Sequence, residues 1–367
     1  HGLCPPAAGY RRAGVRHPLT IPRRGRTVLA GLLLLLAIRP AAAWAWAGQQ
    51  HVQVARVASR NMPEDAAAFR AFSRSMAFPS IYPDLWKGAD SGEAPRHYFE
   101  PDRLPAGFDL LALNPDQDQA FTSEIPAAPV DIGIAPWTIV GLLGQMTDAM
   151  RTNDWLWAAR CGAAMSHYVA DLHMPLHCTR NFNGQETWQH GIHLRLESDM
   201  TRAFFHAGLI HPAPATHLPD PFRAVMEWIA HSASLVPDIL KADIIAKRSA
   251  GGRVDTEGYY RKFWELTGDT VVQQLEDAAT HLSSLWYTAW INAGQPAIPE
   301  PIEDLPPQSV FSGVGIDPPA EGQSLGVVRQ GNRTFDIIIW SVMVVFAGIV
   351  IVSSLRRSIQ ARRAKGL

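Results

Sequence analysis

The chain has 367 residues, with 33 Lys+Arg against 34 Asp+Glu and a formal net charge of -1. This average hides a strong segregation: residues 1–45 hold seven Arg and no acid, residues 355–367 hold five basic residues and no acid, and residues 46–354 carry a formal charge of -13. A hydrophobic fraction of 47% excludes a wholly disordered chain, and three Cys are too few for a disulfide scaffold. The charge pattern indicates an export signal at one end and a membrane-flanking tail at the other.

The N-terminal segment has the layout of a secretory signal. Three arginines between residues 23 and 26 precede an apolar run over residues 28–38, and small residues follow at the positions that a signal peptidase reads. An uncleaved anchor is the alternative, but the run is too short to span a hydrocarbon core of about 30 Å. We therefore predict that residues 1–45 form a signal peptide, cleaved before Trp46.

The body of the chain, residues 46–292, shows helical periodicity and no succession of alternating strand patterns. Helices are expected over residues 136–150, over a stretch capped by Asn153 or Asp154 and running to residue 171, and over residues 221–241 and 268–292. The sequence shows no glycine-rich phosphate loop, so nothing supports nucleotide binding of the dinucleotide or P-loop type. The predicted fold class is all-α, with a single multi-helix domain.

The C-terminal part of the chain predicts a membrane anchor. Residues 293–333 are rich in Pro, Gly and Ser, which is typical of a semi-extended tether. Residues 334–355 are expected to form a transmembrane helix, because their last 19 positions are uncharged and long enough to span a bilayer. Residues 356–367 form a basic tail, which the positive-inside rule leaves in the cytoplasm, with the body on the extracytoplasmic face in the periplasm or outside the cell. A buried core helix is the alternative, disfavoured because the stretch has no polar face.

The most informative stretch is HYVADLHMPLH, residues 167–177. His167 and Asp171 lie four positions apart in a predicted helix, so they project from one face and can hold one metal ion. Pro175 ends that helix and presents His177 from the following turn, close to the same place.

A second pair repeats this arrangement, because His193 and Glu197 are again a histidine and a carboxylate four positions apart. Any one of these histidines alone is more often packed or surface-exposed, but the joint pattern favours a multinuclear metal site between two helices. Imidazole and carboxylate without thiolate suit zinc or another borderline divalent metal, whereas calcium needs an oxygen cage. Cys178 is not expected to be a ligand, and spacing alone leaves open whether it pairs with Cys161.

These motifs and three upstream matches resemble the bacterial zinc-dependent phospholipases C and the related fungal and plant single-strand-specific nucleases. The upstream matches are Trp46 with His51 five residues later, Asp84 in YPDLW, and His97 in HYFEPD. The resemblance extends from residue 46 to about residue 197, and the motifs follow one another in the order of that family. Beyond about residue 210 it is generic helix only.

The resemblance implies three zinc ions in one cleft of an all-α domain. The implied ligands are Asp84, His97, His167 and Asp171 for the first zinc, His177, His193 and Glu197 for the second, and Trp46, His51 and a bridging Asp171 for the third. Trp46 would bind through its free α-amino nitrogen and its carbonyl oxygen. Signal-peptide removal would then be an activation step, since an amide nitrogen is a poor donor and the freed amine is a good one.

The resemblance also implies a reaction, in which a metal-bound hydroxide attacks the phosphorus of a phosphodiester in line and Asp84 acts as the catalytic residue that orients or deprotonates the water. The HxxxE pair and the HYFEPD motif are closer to the phospholipase branch, and an acidic body is unfavourable for nucleic acid. We therefore expect a phospholipase C-like enzyme acting on phospholipid. A nuclease or nucleotidase acting on single-stranded nucleic acid is the alternative, and a non-catalytic zinc-binding or adaptor protein is a third possibility. No protein partner is predicted.

Overall fold

The computed structural model describes residues 48–300, 305–313 and 315. The α-helices of the described residues are α1 Gln49–Arg60, α2 Ser73–Ala77, α3 Tyr82–Trp86, α4 Gln117–Ser123, α5 Pro129–Ile132, α6 Ala135–Arg151, α7 Trp155–Leu172, α8 Ile192–Leu194, α9 Thr201–Phe204, α10 Pro221–Ser234, α11 Val236–Ser249 and α12 Glu257–Asn292. Short 3₁₀ segments connect several of them, at Glu64–Phe72, Phe78–Ile81, Ala94–His97, Pro101–Arg103, Leu110–Ala112, Pro175–His177 and Ala207–Leu209. The described residues form no β-strand, only an isolated bridge between Gln308 and Gly315. The predicted all-α class is confirmed.

Helix α7 lies at the centre of this fold. Asp154 caps its first turn, because the carboxylate accepts a hydrogen bond of 3.0 Å from the backbone N–H of Trp157. Every residue from Cys161 to Leu172 is buried, and α1, α6 and α12 all pack against the helix. The predicted helix after Asp154 is confirmed. Its burial carries the polar residues of its last two turns into the interior, where each of them needs a partner.

The chain leaves α7 through a turn that contains proline. Met174 is extended, and Pro175 begins the 3₁₀ turn Pro175–His177. Proline has no N–H to continue the ladder of α7, and it disfavours helical geometry in the residue before it. The turn brings the His177 ring back beside the end of α7, as the sequence predicted.

The segment that carries His193 and Glu197 is helical throughout, but it is not entirely α-helical. Helix α8 continues directly into a π-helical turn, Arg195–Met200, and then into α9. A π turn is rare in soluble proteins and is found mostly as a single turn at functional sites. His193 lies in α8 and Glu197 in the π turn. The two side chains still meet, although the backbone between them is not a regular α-helix.

The predicted helix over residues 221–241 is wrong as a single element. The structure has two helices there, α10 and α11, which meet at Leu235. Pro237 lies in the first turn of α11, where its missing N–H costs nothing, but it could not continue α10. The predicted helix over residues 268–292 is the C-terminal part of the longer α12, which begins at Glu257 and is capped by Thr256.

The Pro-rich segment after α12 is partly packed rather than extended. Leu305, Ser309 and Val310 are buried, and the guanidinium of Arg96 lies over the ring of Phe311 at 3.9 Å from its centroid. The described residues 305–313 therefore lie against the helical body, although the sequence pattern predicted a tether over residues 293–333.

The predicted end segments fall outside the described residues. These are the signal peptide 1–45 with the cleavage residue Trp46, the transmembrane helix 334–355 and the basic tail 356–367. Within the part of the chain that the structure describes, no helix is both long and apolar enough to cross a bilayer.

A buried ion pair fixes the π turn to the C-terminal helices. Arg195 is 7% exposed, and its Nη2 donates to Asp243 Oδ1 on α11 at 2.9 Å while its Nε donates to the hydroxyl of Tyr259 on α12 at 2.9 Å. The Tyr259 hydroxyl donates to the same carboxylate in turn, and Gln189 Nε2 donates to its other oxygen at 2.8 Å. Every partner of this pair is buried, so removing one member leaves a charge without compensation.

Replacing Asp243 with Ala is expected to lower the free energy of unfolding by about 3–5 kcal/mol, because the Arg195 guanidinium would remain buried and unpaired. Chemical denaturation monitored by circular dichroism measures the change. The matched control is Glu227→Ala, which removes the exposed pair with Arg223 and should cost about 1 kcal/mol or less. Equal effects of the two substitutions would contradict the structural role given to Asp243.

Candidate metal centre

All eight predicted ligands that lie in the described residues come together around the C-terminal end of α7. They arrive from separate elements: His51 from α1, Asp84 from α3, His97 from the 3₁₀ turn Ala94–His97, His167 and Asp171 from α7, His177 from the turn after α7, and His193 and Glu197 from the α8–π stretch. The cluster is buried on the α7 side and reaches solvent at His193, whose side chain is 22% exposed. Trp46, the ninth predicted ligand, lies outside the described residues.

Asp171 occupies the middle of the cluster. Its Oδ2 lies 2.8 Å from His97 Nδ1 and 3.3 Å from His167 Nε2, and its Oδ1 lies 3.6 Å from His51 Nε2 and 4.0 Å from His177 Nε2. One carboxylate therefore faces four imidazoles, two at each oxygen. The bridging role that the sequence resemblance implies for this residue stays a prediction, with which this arrangement is compatible.

The donor atoms form three groups, in each of which all atoms lie within 4.8 Å of one another. The groups are His51, His167 and Asp171; Asp84, His97 and His167; and His177, His193 and Glu197. The second group holds three of the four ligands of the first predicted zinc set, without Asp171, and the third group is the second predicted set. The first group contains His51 and Asp171 of the third predicted set together with His167, and Trp46, the remaining member of that set, lies outside the described residues.

The histidines are oriented by hydrogen bonds on the side away from the cluster. A backbone carbonyl can only accept, so an imidazole nitrogen bonded to it carries the proton and the other nitrogen keeps a free lone pair. The bonds of this kind are His167 Nδ1 to Ser80 O at 2.8 Å, His177 Nδ1 to His97 O at 2.8 Å, and His193 Nδ1 to Phe182 O at 3.0 Å. In each ring Nε2 is therefore the atom that faces the cluster, and its lone pair can bind a metal once any proton on it has been released.

Several donor atoms of the cluster are buried without a hydrogen-bond partner. They are both ring nitrogens of His51, Asp171 Oδ1, His177 Nε2 and both oxygens of Glu197. An unpaired buried polar atom costs about 1–3 kcal/mol. Six such atoms in one place would therefore be unfavourable in a purely structural cluster. A divalent cation would satisfy these atoms, and nitrogen with carboxylate oxygen is the donor set of zinc and similar metals. The residues present fit a metal.

The carboxylates of the cluster are held in the ionised form that metal binding requires. Burial opposes ionisation of Asp171, but His167 and His177 outweigh it and hold the pKa of its carboxyl well below its usual range. For Asp84, burial is outweighed by Lys87 and His167, and the pKa is again held well below the ordinary value. Burial is likewise outweighed at Glu197, where the neighbouring histidines lower the pKa to about 2.

Two stacked imidazoles show where a positive charge is favoured. The rings of His51 and His167 lie parallel, 3.9 Å apart. Burial, with help from His167, lowers the pKa of His51 to about 3, so that ring is neutral. At His167 burial opposes the charge, but Asp171 and Asp84 outweigh it and raise the pKa to about 10. The carboxylates thus require a cation at His167 Nε2, either a proton or a neighbouring metal ion, and metal binding there would release the proton.

Lys87 is a site residue that the sequence analysis missed. Its Nζ donates to Asp84 Oδ1 at 2.7 Å, and only 14% of the side chain is exposed. Burial would lower the pKa of Lys87, but Asp84, Asp171 and Glu197 outweigh that effect and raise it, so the ammonium stays charged. The spacing of three residues between Asp84 and Lys87 was a usable signal, because such pairs share a helix face.

Glu93 is a second missed residue, and it acts on His97. Its fully buried Oε1 accepts from His97 Nε2 at 3.2 Å and from the Tyr168 hydroxyl, while Arg96 Nη1 donates to Oε2 at 2.8 Å. An ionised Glu93 can only accept, so it favours a proton on His97 Nε2 and leaves Nδ1, 2.8 Å from Asp171 Oδ2, as the nitrogen whose lone pair could bind a metal. The sequence places Glu93 four residues before His97, but the segment gave no helical pattern, so the pair was not apparent.

The cysteines take no part in this site. Cys161 and Cys178 are both free and buried, and burial raises the pKa of the Cys161 thiol to about 12. The disulfide that spacing left open is absent, and Cys178 belongs to none of the three donor groups.

No protein-family model matches the chain, and no curated protein is significantly similar to it. The site therefore has to be interpreted from its own geometry.

Replacing Glu93 with Ala is expected to weaken the binding of a divalent metal such as zinc by about 10- to 100-fold, because His97 loses the acceptor that orients its ring. Competition against a chromophoric chelator measures the affinity. Glu93→Gln keeps an acceptor oxygen for the His97 N–H and should lose less. An Ala variant with an unchanged circular-dichroism spectrum and wild-type zinc affinity would show that Glu93 does not position His97.

Proposed function

We propose that this chain is an exported, membrane-anchored phosphodiester hydrolase that depends on zinc and is phospholipase C-like, of the superfamily that its motifs resemble. The observation that carries the proposal is the arrangement around Asp171, where one ionised carboxylate faces four imidazoles and joins the donor groups on either side. A structural zinc site has four protein ligands and needs no bridging carboxylate. Adjacent metal sites that share a carboxylate are typical of hydrolases that act on phosphate esters.

The composition of the site supports zinc as the metal. The three donor groups contain imidazole nitrogens and carboxylate oxygens and no thiolate. When bound there, divalent metals would supply Lewis acidity to the phosphate oxygens, activate water at neutral pH and offset the negative charge that develops during displacement. The first two groups share His167, whose one free nitrogen can bind a single ion, so the three ions that the sequence resemblance implies would need a further donor in one of these groups.

The protein's own residues supply orientation and charge for an in-line attack by water on phosphorus. Asp84 is partly accessible and ionised, so it can accept a hydrogen bond from the attacking water and orient it. Lys87 places an ammonium beside the same carboxylate, where it can pair with a non-bridging phosphate oxygen. His193, at the exposed end of the cluster, marks the side from which a substrate can approach.

The choice of a lipid phosphodiester follows from charge and from the predicted anchor. Residues 46–354 carry a formal charge of -13, which opposes binding of a polyanionic nucleic acid. The predicted transmembrane helix would also keep the body next to phospholipid. A single-strand-specific nuclease is the alternative, since the donor groups and Lys87 would recognise a phosphodiester whatever its substituents.

The decisive experiment compares two substrates with the metal present and removed. The purified chain should release a phosphorylated headgroup from phosphatidylcholine faster than it cleaves single-stranded DNA, and a chelator should abolish both reactions with recovery on adding zinc. Asp171→Ala, which removes the bridging carboxylate, should lose bound zinc by elemental analysis together with the activity. Preferential DNA cleavage would establish the nuclease alternative, and zinc binding without either activity would establish a non-catalytic role.

Replacing Lys87 with Met is expected to lower kcat by about 10²-fold, because one positive donor to the charged transition state is lost. Bound zinc should remain, since Lys87 is not a ligand, and Lys87→Arg should restore part of the rate. Steady-state kinetics and elemental analysis test the two statements. Lys241→Met, at an exposed position on α11, is the matched control and should change neither. A wild-type rate for Lys87→Met would remove Lys87 from the mechanism.

A further inference from the structure

The loop over residues 180–191 connects two predicted ligands, His177 and His193, and its own hydrogen bonds hold it rigid. Gln189 N donates to Gly184 O at 2.9 Å, and Gly191 N donates to the Asn183 side chain at 3.0 Å. Gly184 has φ +70, and a Cβ there would lie 2.6 Å from Gln189 O. The two sides of the loop are therefore so close together that only glycine fits at this position. The loop is therefore a fixed feature of the surface.

The end of the same loop, at residues 189 and 190, is hydrogen-bonded to the protein interior. Gln189 Nε2 donates to Asp243 at 2.8 Å, and Arg195 donates to the carbonyl oxygens of Gln189 and His190 at 3.2 and 2.8 Å. The backbone directly after residue 188 is thus bound to the buried ion pair described above. The position of residue 188 is determined by the fold.

Trp188 occupies that position, and the fold alone does not explain it. Its side chain is 85% exposed, and an edge-on approach to the ring of His190, with 6.3 Å between the ring centroids, is the one ring contact that the described residues offer it. Its φ is +59, a left-handed conformation that is unfavourable for a bulky side chain. A strained backbone that displays an unpacked indole gives no benefit to folding, and such strain is retained mainly at functional sites.

Phe182 links the loop to the metal centre. Its side chain is 44% exposed, its ring lies 6.3 Å from that of His193, and its carbonyl oxygen accepts from His193 Nδ1. Two exposed aromatic side chains therefore lie on the short loop that borders the open end of the cluster. Exposed apolar side chains beside a site mark a surface that meets an apolar partner.

The charges around the loop decide which partner fits. Arg180 pairs with Glu186 at 3.1 Å, and Arg103 on the neighbouring segment pairs with Glu100. Asp102, which accepts from Thr179 and from the backbone N–H of Arg180, adds a further negative charge. The rim formed by residues 98–103 and 178–193 holds no other Lys or Arg, so these two segments offer no unpaired cation to a polyanion or to anionic lipid. Lys241 lies on the adjoining helix α11, next to the Leu240 carbonyl that accepts from Gln189 Nε2.

We infer that Trp188 and Phe182 form an interfacial anchor that inserts at the headgroup level of a zwitterionic phospholipid surface, such as phosphatidylcholine, and so delivers lipid phosphodiester to the metal centre. Tryptophan favours this depth because its ring is apolar and its N–H is polar. The cationic part of a zwitterionic headgroup is also compatible with an acidic rim. The inference rests on the proposed function, for which it names the substrate surface.

Fluorescence of the full chain tests the insertion independently of catalysis. The protein is reconstituted into vesicles of phosphatidylcholine with or without bromine on the acyl chains, and the emission of Trp188→Phe is subtracted from that of the wild type. The difference isolates Trp188, and bromine should quench more than half of it. An unquenched difference signal would place the indole in water and overturn the anchor.

Steady-state kinetics test whether insertion of Trp188 promotes hydrolysis at a lipid surface. Trp188→Ala should lower the ratio of the hydrolysis rate on phosphatidylcholine vesicles to that on monomeric dihexanoylphosphatidylcholine by about tenfold, equivalent to about 1.4 kcal/mol of surface affinity. Leu156→Ala, which removes another exposed apolar side chain at the opposite end of α7, should leave the ratio unchanged. If Trp188→Ala instead impairs cleavage of a single-stranded oligonucleotide and leaves this ratio alone, the loop stacks on bases and the lipid anchor is wrong.

Two further outcomes distinguish the proposed anchor from the proposed enzymatic function and from a purely structural role of Trp188. If the wild type hydrolyses neither lipid form, the proposed function fails, and the bromolipid quenching still decides whether Trp188 contacts lipid. Trp188→Gly relieves the backbone strain and should melt at the wild-type temperature or above. A lower melting temperature would show that the indole supports the fold and would overturn the functional explanation of its strain.

Discussion

One buried negative charge constrains most of this structure. Asp171 lies on the central helix α7 where no water can solvate it, and four imidazoles from four separate elements approach its two oxygens. A carboxylate in such surroundings is tolerated only when positive charge or hydrogen bonds surround it. Helix α1, the turn at His97 and the turn after α7 are all positioned by this requirement. The apolar core supplies the bulk of the stability, and Asp171 determines which elements meet at the end of α7.

The sequence predicted the parts of this arrangement that depend on local spacing. Helical periodicity and the Asp154 cap gave α7, and the spacing of four residues gave both the His167–Asp171 and the His193–Glu197 pairs. Pro175 correctly placed the turn that presents His177. These features depend on neighbours within one or two turns, which a linear pattern records directly.

The features that the sequence did not predict depend on contacts between distant segments. Arg195 has the spacing of an ordinary helical residue, and only the fold shows that it meets Asp243 and Tyr259 in the interior. Glu93 and Lys87 flank the predicted ligands, but their burial could not be deduced without knowing what covers them. The split at Leu235 was missed because an apolar periodicity continued across Pro237. The packing of residues 305–313 was missed because a proline-rich composition suits both an extended tether and an ordered strap.

The pairing of His51 with Asp171 would link metal binding to the folding of α1, the first helix of the described residues. His51 is fully buried on α1, neither of its ring nitrogens has a hydrogen-bond partner, and it stacks on His167 of α7. A cation bound between His51 and Asp171 would cross-link the first helix to the central one across more than a hundred residues of chain, a closure that apolar packing alone must otherwise maintain. Loss of the metal would therefore be felt first as local opening of α1, so the backbone amides of that helix would report occupancy of a site that lies mostly elsewhere.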